Sequence, residues 1–160
     1  MADNKAKENV RNKNIAINRK ARHEYIFLET YEAGIALIGT EVKSLRAGNL
    51  SMVDAYGTIA DGELWLKNLN ISHWEKGNRF NHDTVRPRKL LMHSREIKRI
   101  HSKITEKGLT LVPSRLYFKN GRVKVELALA RGKKLYDKRE ADAEKSARRE
   151  VERTVKNKEF

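Results

Sequence analysis

The stretch Leu116–Val125, LYFKNGRVKV, decides how the chain is read. Asn-Gly at 120–121 tolerates the positive φ that a two-residue type I′ turn demands. The flanks then pair Lys119 with Arg122, Phe118 with Val123, Tyr117 with Lys124 and Leu116 with Val125. One face of this hairpin carries Leu116, Phe118, Val123 and Val125, which is a core face. The other carries Tyr117, Lys119, Arg122 and Lys124. That aromatic and basic mixture suits a surface facing RNA or a ribosome, and equally a solvated outer sheet face.

Outward from the hairpin the pattern continues. "IAIN", "EYIFLETYEAGIALIG", "DAYGTIADGELWLKNLNIS" and "RKLLM" are short apolar or alternating runs broken by Gly, Asn and Asp, and Asp61-Gly62 is a second tight-turn dipeptide. The expected fold is mainly β: a small β-barrel with flanking helices. One helix is expected over "TEVKSLRAG", with Thr40 as N-cap, Glu41 near the positive end of the dipole and Gly48 as the stop. A longer one is expected over "SREIKRIHSKITEKG", with Ser94 as N-cap, Ile97, Ile100 and Ile104 on one stripe, and Gly108 as the breaker. Residues 1–14 read as a flexible basic arm, 15–131 as the barrel and 132–160 as a basic tail.

The 160 residues suffice for one core with extensions. Their 35 Lys and Arg against 21 Asp and Glu give a net charge of +14, a field that attracts polyanions. No apolar run reaches the ~18 residues that a membrane span requires, and no secretory signal opens the sequence. The expectation is a soluble cytoplasmic protein with no membrane partner. Without cysteine, thiolate metal sites and Cys nucleophiles are excluded.

Enzymatic constellations are thin. Gly34–Glu41 has the glycine spacing of a phosphate loop but lacks its Lys and Ser/Thr. The five histidines never fall at i and i+4, so no zincin-type pair exists. Glu29 and Glu32 are near one another in a chain rich in acids. The expectation is no catalysis, no metal and no cofactor. Two clusters instead suit RNA. "HWEKGNRFNHDTVRPRKLLMH" sets Arg79, Arg86, Arg88 and Lys89 beside Trp74, Phe80, His73, His82 and His93, and "NRKARHEY" supplies Lys20, Arg22 and His23. Cations neutralise phosphates, while flat rings stack on unpaired bases.

The tail from Arg131 carries 11 Lys and Arg against 7 Asp and Glu, a net of +4. Ala143, Ala147, Val151 and Val155 form only a narrow i, i+4 stripe, and Glu144 to Arg148, Arg148 to Glu152 and Glu152 to Lys156 are spaced as weak ion pairs. Such a helix is marginal in water on its own.

Taken together, "NRKARHEYIFLETYEAGIALIGTEVKSLRAGN", "GNRFNHD", "RPRKLLMHSREI" and "LYFKNGRVKVELALARGKKLYDKRE" resemble the SsrA-binding protein (small protein B) family from about Ile15 to Glu140. The resemblance implies an OB-fold-like barrel and a tail that is disordered, or helical when bound. It implies binding to the tRNA-like domain of transfer-messenger RNA and delivery of that RNA to stalled ribosomes in trans-translation, with elongation factor Tu reached through the RNA. Carried over residue by residue, it implies RNA contacts at Glu32, Leu91 and His93. It also implies a tail motif at Gly132, Lys133, Lys134, Asp137, Lys138 and Arg139, with Tyr136 near the decoding centre and the tail in the empty mRNA channel of the small subunit. Gly132 reads as the hinge leaving the barrel. The alternative is a general ribosome-associated RNA-binding or RNA-chaperone protein.

Overall fold

The computed structural model describes residues 13–76 and 81–158, with 135–137 and 157–158 described by backbone alone. Strands β1 (Asn14–Ile17), β2 (Tyr25–Ile35), β3 (Leu50–Ser51), β4 (Tyr56–Ala60), β5 (Glu63–Lys67), β6 (Asn70–Ile71), β7 (Arg88–Leu91), β8 (Thr110–Lys119) and β9 (Arg122–Gly132) are accompanied by helices α1 (Arg19–Glu24), α2 (Gly39–Arg46), α3 (Ser94–Lys107) and α4 (Leu135–Lys158).

The pairing closes on itself. β8 pairs β4, β4 pairs β5, β5 pairs β7, β7 pairs β2, β2 pairs β9, and β9 returns to β8, all antiparallel. This is a six-stranded barrel, with β1 added outside along β8. Closure leaves the six strands no long free edge. The ring shuts at Gly57, paired with Leu111; a Cβ there would sit 2.7 Å from the enclosed Leu111 side chain, so only glycine permits the approach. Bulges between Phe27 and Glu29 on β2 and between Pro113 and Arg115 on β8 bend the long strands around the core.

The hairpin at Asn120-Gly121 forms in the expected register, both turn residues holding positive φ (52° and 76°). Asp61-Gly62 does the same at 52° and 74°. Leu64, Leu66, Leu90, Leu111, Leu116, Val125, Leu127 and Leu129 fill the barrel. Ile97 and Ile100 of α3 are buried with them, Ile104 is half-buried, and Gly108 ends the helix in the left-handed region.

Three local expectations need correction. α3 is capped by His93 rather than Ser94: the His93 carbonyl accepts from the N–H groups of Glu96 and Ile97. α2 starts at Gly39 after Ile38, and its first turn is closed by Glu41, whose carboxylate accepts the Ile38 N–H at 3.0 Å; Thr40 is engaged elsewhere. "NRKARHEY", for which no helix is expected above, contains α1. Asn18 caps it by accepting from the Ala21 N–H at 3.1 Å and donates to the Pro113 carbonyl at 2.9 Å. α1 is thereby fixed over a small apolar patch of Ala21, Val112, Ala128 and Ala130 on the outside of the barrel.

No helix among the described residues is long and apolar enough to cross a membrane.

Candidate nucleic-acid interface

The outer face of β2, β9 and β8 is half covered. α1 seals one end, and the other end stays open to solvent. Alternation along the strands brings Leu91, Gly34, Lys124 and Tyr117 into one row across the barrel, and Glu32, Glu126 and Arg115 into the next. Arg22 of α1 lies close enough to Glu126 to favour its charge. Glu32, Leu91 and the α1 cations thus share one surface.

Glu32 is a networked carboxylate. It accepts from the Tyr117 hydroxyl and from Lys119 Nζ at 3.2 Å. The Tyr117 hydrogen bond, aided by Lys119, holds its carboxyl below the usual glutamate range despite partial burial. Burial, with Glu32 beside it, pushes the Tyr117 hydroxyl up. Arg115 lies 4.3 Å above the Tyr117 ring and donates to Glu126 at 2.9 Å. Tyr117 is therefore enclosed, 8% exposed, and has no free ring face for a base; of the four outward hairpin residues, Lys119, Arg122 and Lys124 present charge to solvent.

Leu91, by contrast, is 54% exposed. His93 is exposed directly before α3. Lys89 is half-exposed on β7 and pairs with Glu63 at 2.9 Å, and Lys20 pairs with Asp54 at 3.1 Å. Both pairs are open to water and readily exchanged for phosphate. Arg22 is exposed; His23 contacts Asp142 of α4 at 2.7 Å.

Two expected RNA contacts lie inside the fold. Arg88 is fully enclosed: it donates to the Glu41 carboxylate and to the carbonyls of Leu69 and, at 3.1 Å, Thr84. Arg86 donates to the same carboxylate. Burial works to raise the Glu41 carboxyl, and the donors Arg86, Ile38 N–H and Arg88 outweigh it, so the group is held below the ordinary range. A buried carboxylate between two guanidiniums is a structural triad, and Arg88 cannot reach a phosphate from it. His82 is likewise enclosed; Nε2 donates to the Ile71 carbonyl at 2.8 Å and Nδ1 accepts from the Thr40 hydroxyl at 2.9 Å. Both rings of contact tie the segment after β6 to α2, as does Ser44 Oγ donating to the Ser72 carbonyl. Arg79 lies outside the described residues.

The tail leaves the barrel at Gly132, the last residue of β9, paired with Tyr25. Its φ is not positive and a Cβ there would meet nothing within 4 Å, so no conformational demand for glycine exists in this state. Lys133 ties the exit to α1, its N–H donating to the Glu24 carbonyl at 2.9 Å and Nζ to the Arg22 carbonyl. Beyond it α4 runs as one 24-residue helix. Lys134 and Arg139 are exposed and Lys138 is half-buried; the side chains of Tyr136 and Asp137 lie outside the description. Val151 and Val155 are 63% and 54% exposed, so the narrow stripe packs on nothing. Among the described residues no cluster of His, Asp or Glu is arranged to hold a metal.

The family described as "SmpB protein" matches residues 15–157. An SsrA-binding protein of Desulforudis audaxviator is 60% identical over 146 residues, 91% of this chain and 95% of its own. One of Carboxydothermus hydrogenoformans is 60% identical over 142 residues, 89% and 95% of the two chains. A solved chain described as "tmRNA-SmpB: a journey to the center of the bacterial ribosome" is similar with a TM-score of 0.65 and 54% identity, covering 79% of this chain and 92% of that one.

Proposed function

The chain belongs to the SmpB family, and from that premise we propose that it is an RNA-binding adaptor of trans-translation. In this reading the barrel binds the tRNA-like domain of transfer-messenger RNA and delivers it to stalled ribosomes. The carrying observation is that the family match spans barrel and tail together, residues 15–157, so the open outer face and the helix beyond it both fall within the family's pattern.

The geometry supplies the chemistry. Lys20, Lys89 and Lys119 hold solvent-exposed or half-exposed positions where phosphate can replace a surface carboxylate, and Arg22 is exposed on α1. Glu32 offers acceptor oxygens to a base amino group or a 2′-OH. α4, basic and with its apolar stripe left exposed, enters the vacant mRNA channel, with Lys133, Lys134, Tyr136, Asp137, Lys138 and Arg139 at its base toward the decoding centre. Elongation factor Tu joins through the RNA, and the setting is cytoplasmic. The role is non-enzymatic.

Competition at several salt concentrations tests the reading. The tRNA-like domain should outcompete elongator tRNA and an unrelated hairpin. Equal binding of all three with a steep salt dependence would leave charge as the whole explanation.

A further inference from the structure

Two contacts tie α4 and the residues leading into it to α1. The first is at the exit. The Lys133 N–H donates to the Glu24 carbonyl at 2.9 Å and Lys133 Nζ to the Arg22 carbonyl at 3.3 Å, satisfying acceptors at the C-terminal end of α1. The second lies farther on, where His23 Nε2 donates to Asp142 Oδ1 at 2.7 Å. Asp142 stands about 10 Å along the helix axis from Leu135. A rod held at one end alone is free to swing, and a second hold at that distance fixes its direction.

Half-buried Lys138 and Ala141 share the side of α4 that carries Asp142. From Asp142 to Lys156 every residue is exposed. Among the described residues beyond Asp142, the side-chain bonds stay within the helix: Arg148 to Glu152, and Thr154 Oγ1 to the Glu150 carbonyl. Docking therefore ends where Asp142 meets His23. The bracket itself is firm, because Asn18 joins α1 to the Pro113 carbonyl and buried Ala21 rests on Val112, Ala128 and Ala130. The rest of α4, about 24 Å of helix, is a lever beyond it, so a shift of ~3 Å at Asp142 grows to ~10 Å at Lys158.

We propose that His23 and Asp142 are positioning residues for the tail: their contact sets the heading at which α4 leaves the barrel, with α1 as the bracket. It rests on the reading of α4 as the segment that enters the mRNA channel, and adds to that reading what aims the helix before entry.

Spin labels test the heading, and the absence of cysteine lets them be placed cleanly. Exposed positions Glu106→Cys on α3 and Arg149→Cys on α4 carry them in the full chain. The distance distribution is compared for that chain, for Asp142→Ala, for His23→Ala and for the exchange His23→Asp/Asp142→His. The main distance should lose ~3-fold in population in either single variant and return in the exchange. Alanine is a better helix former than aspartate, so Asp142→Ala should keep or raise the helix content seen by circular dichroism while the heading spreads; melting of α4 would lower it. Tagging on stalled ribosomes should fall ~2-fold in Asp142→Ala, with affinity for the tRNA-like domain unchanged, and hold in Asp142→Glu, which keeps the carboxylate. Equal distributions in all four chains would overturn the proposal, as would an exchange as broad as the single variants, or a broadened heading with undiminished tagging. If the unaltered chain neither prefers the tRNA-like domain nor tags, the proposed function fails, and the distances still decide whether this contact aims the helix.

Discussion

Arg88 and Arg148 each face a glutamate, and their surroundings differ completely. Arg88 meets Glu41 across 47 residues of sequence with both side chains 0% exposed, while Arg148 meets Glu152 one turn away at 3.8 Å with the pair 84% and 65% exposed. In the barrel, order is imposed by enclosure: a charge that loses its partner there has nowhere to go. In the tail, order is largely local: the helix's own hydrogen bonds, the weak Arg148–Glu152 pair and one exposed contact from Asp142 to His23 of α1 oppose its melting. A rigid barrel and a locally ordered helix are therefore built into one chain, joined at Gly132 and Lys133.

Removing Glu41 should produce the largest effect. Glu41→Gln leaves Arg88 enclosed without a counter-charge, and unfolding in urea should show a loss of ~3–5 kcal/mol. A loss below ~1 kcal/mol would mean that water reaches the triad, and the contrast between the two regions would shrink.

The same carboxylate sets a pH dependence. Its folded pKa is depressed, so its contribution is fully present above the ordinary glutamate value of ~4.3 and is lost as pH falls through the folded value. Urea midpoints followed from neutral to acid pH should fall more steeply for the unaltered chain than for Glu41→Gln. Parallel curves would remove Glu41 from the account.

Asn18→Ala should fall between the extremes. It takes away the cap of α1 and the bond to Pro113, at a cost of ~1–2 kcal/mol, and should weaken RNA binding through Lys20, Arg22 and His23 more than it weakens the barrel. The smallest change is expected for Arg148→Ala, ~0–0.5 kcal/mol in global stability. Amide exchange sharpens the point: α4 should open at far lower free energy than β8 and β9.

Much of this contrast is legible in the sequence, because it rests on local rules. Asn-Gly and Asp-Gly declare their turns, alternation on the flanking strands assigns their faces, and the thin Ala/Val stripe of the tail shows that no core awaits it. The buried triad escapes such a reading. Glu41, Arg86 and Arg88 resemble ordinary surface charges until closure of the barrel brings residues 45 and 47 apart onto one carboxylate. His82 misleads for the same reason, its two partners lying on α2 and β6. Tyr117 reads as part of an open aromatic and basic face because nothing local shows that Arg115 already occupies the ring. The α1 cap at Asn18 is the one miss with a local signal, an Asn directly before a short run of helix formers. Among the proposed RNA contacts, exposure separates Glu32, Leu91 and the α1 cations from Arg88 and His82.

Division of labour between barrel and tail is the central claim, and one paired assay on the full chain tests it most directly. Affinity for the tRNA-like domain and peptide tagging on stalled ribosomes are measured side by side for the unaltered protein and for Asp137→Ala/Lys138→Ala/Arg139→Ala. The account predicts that tagging is lost while affinity for the RNA is retained; unchanged tagging, or loss of RNA binding together with it, would contradict it.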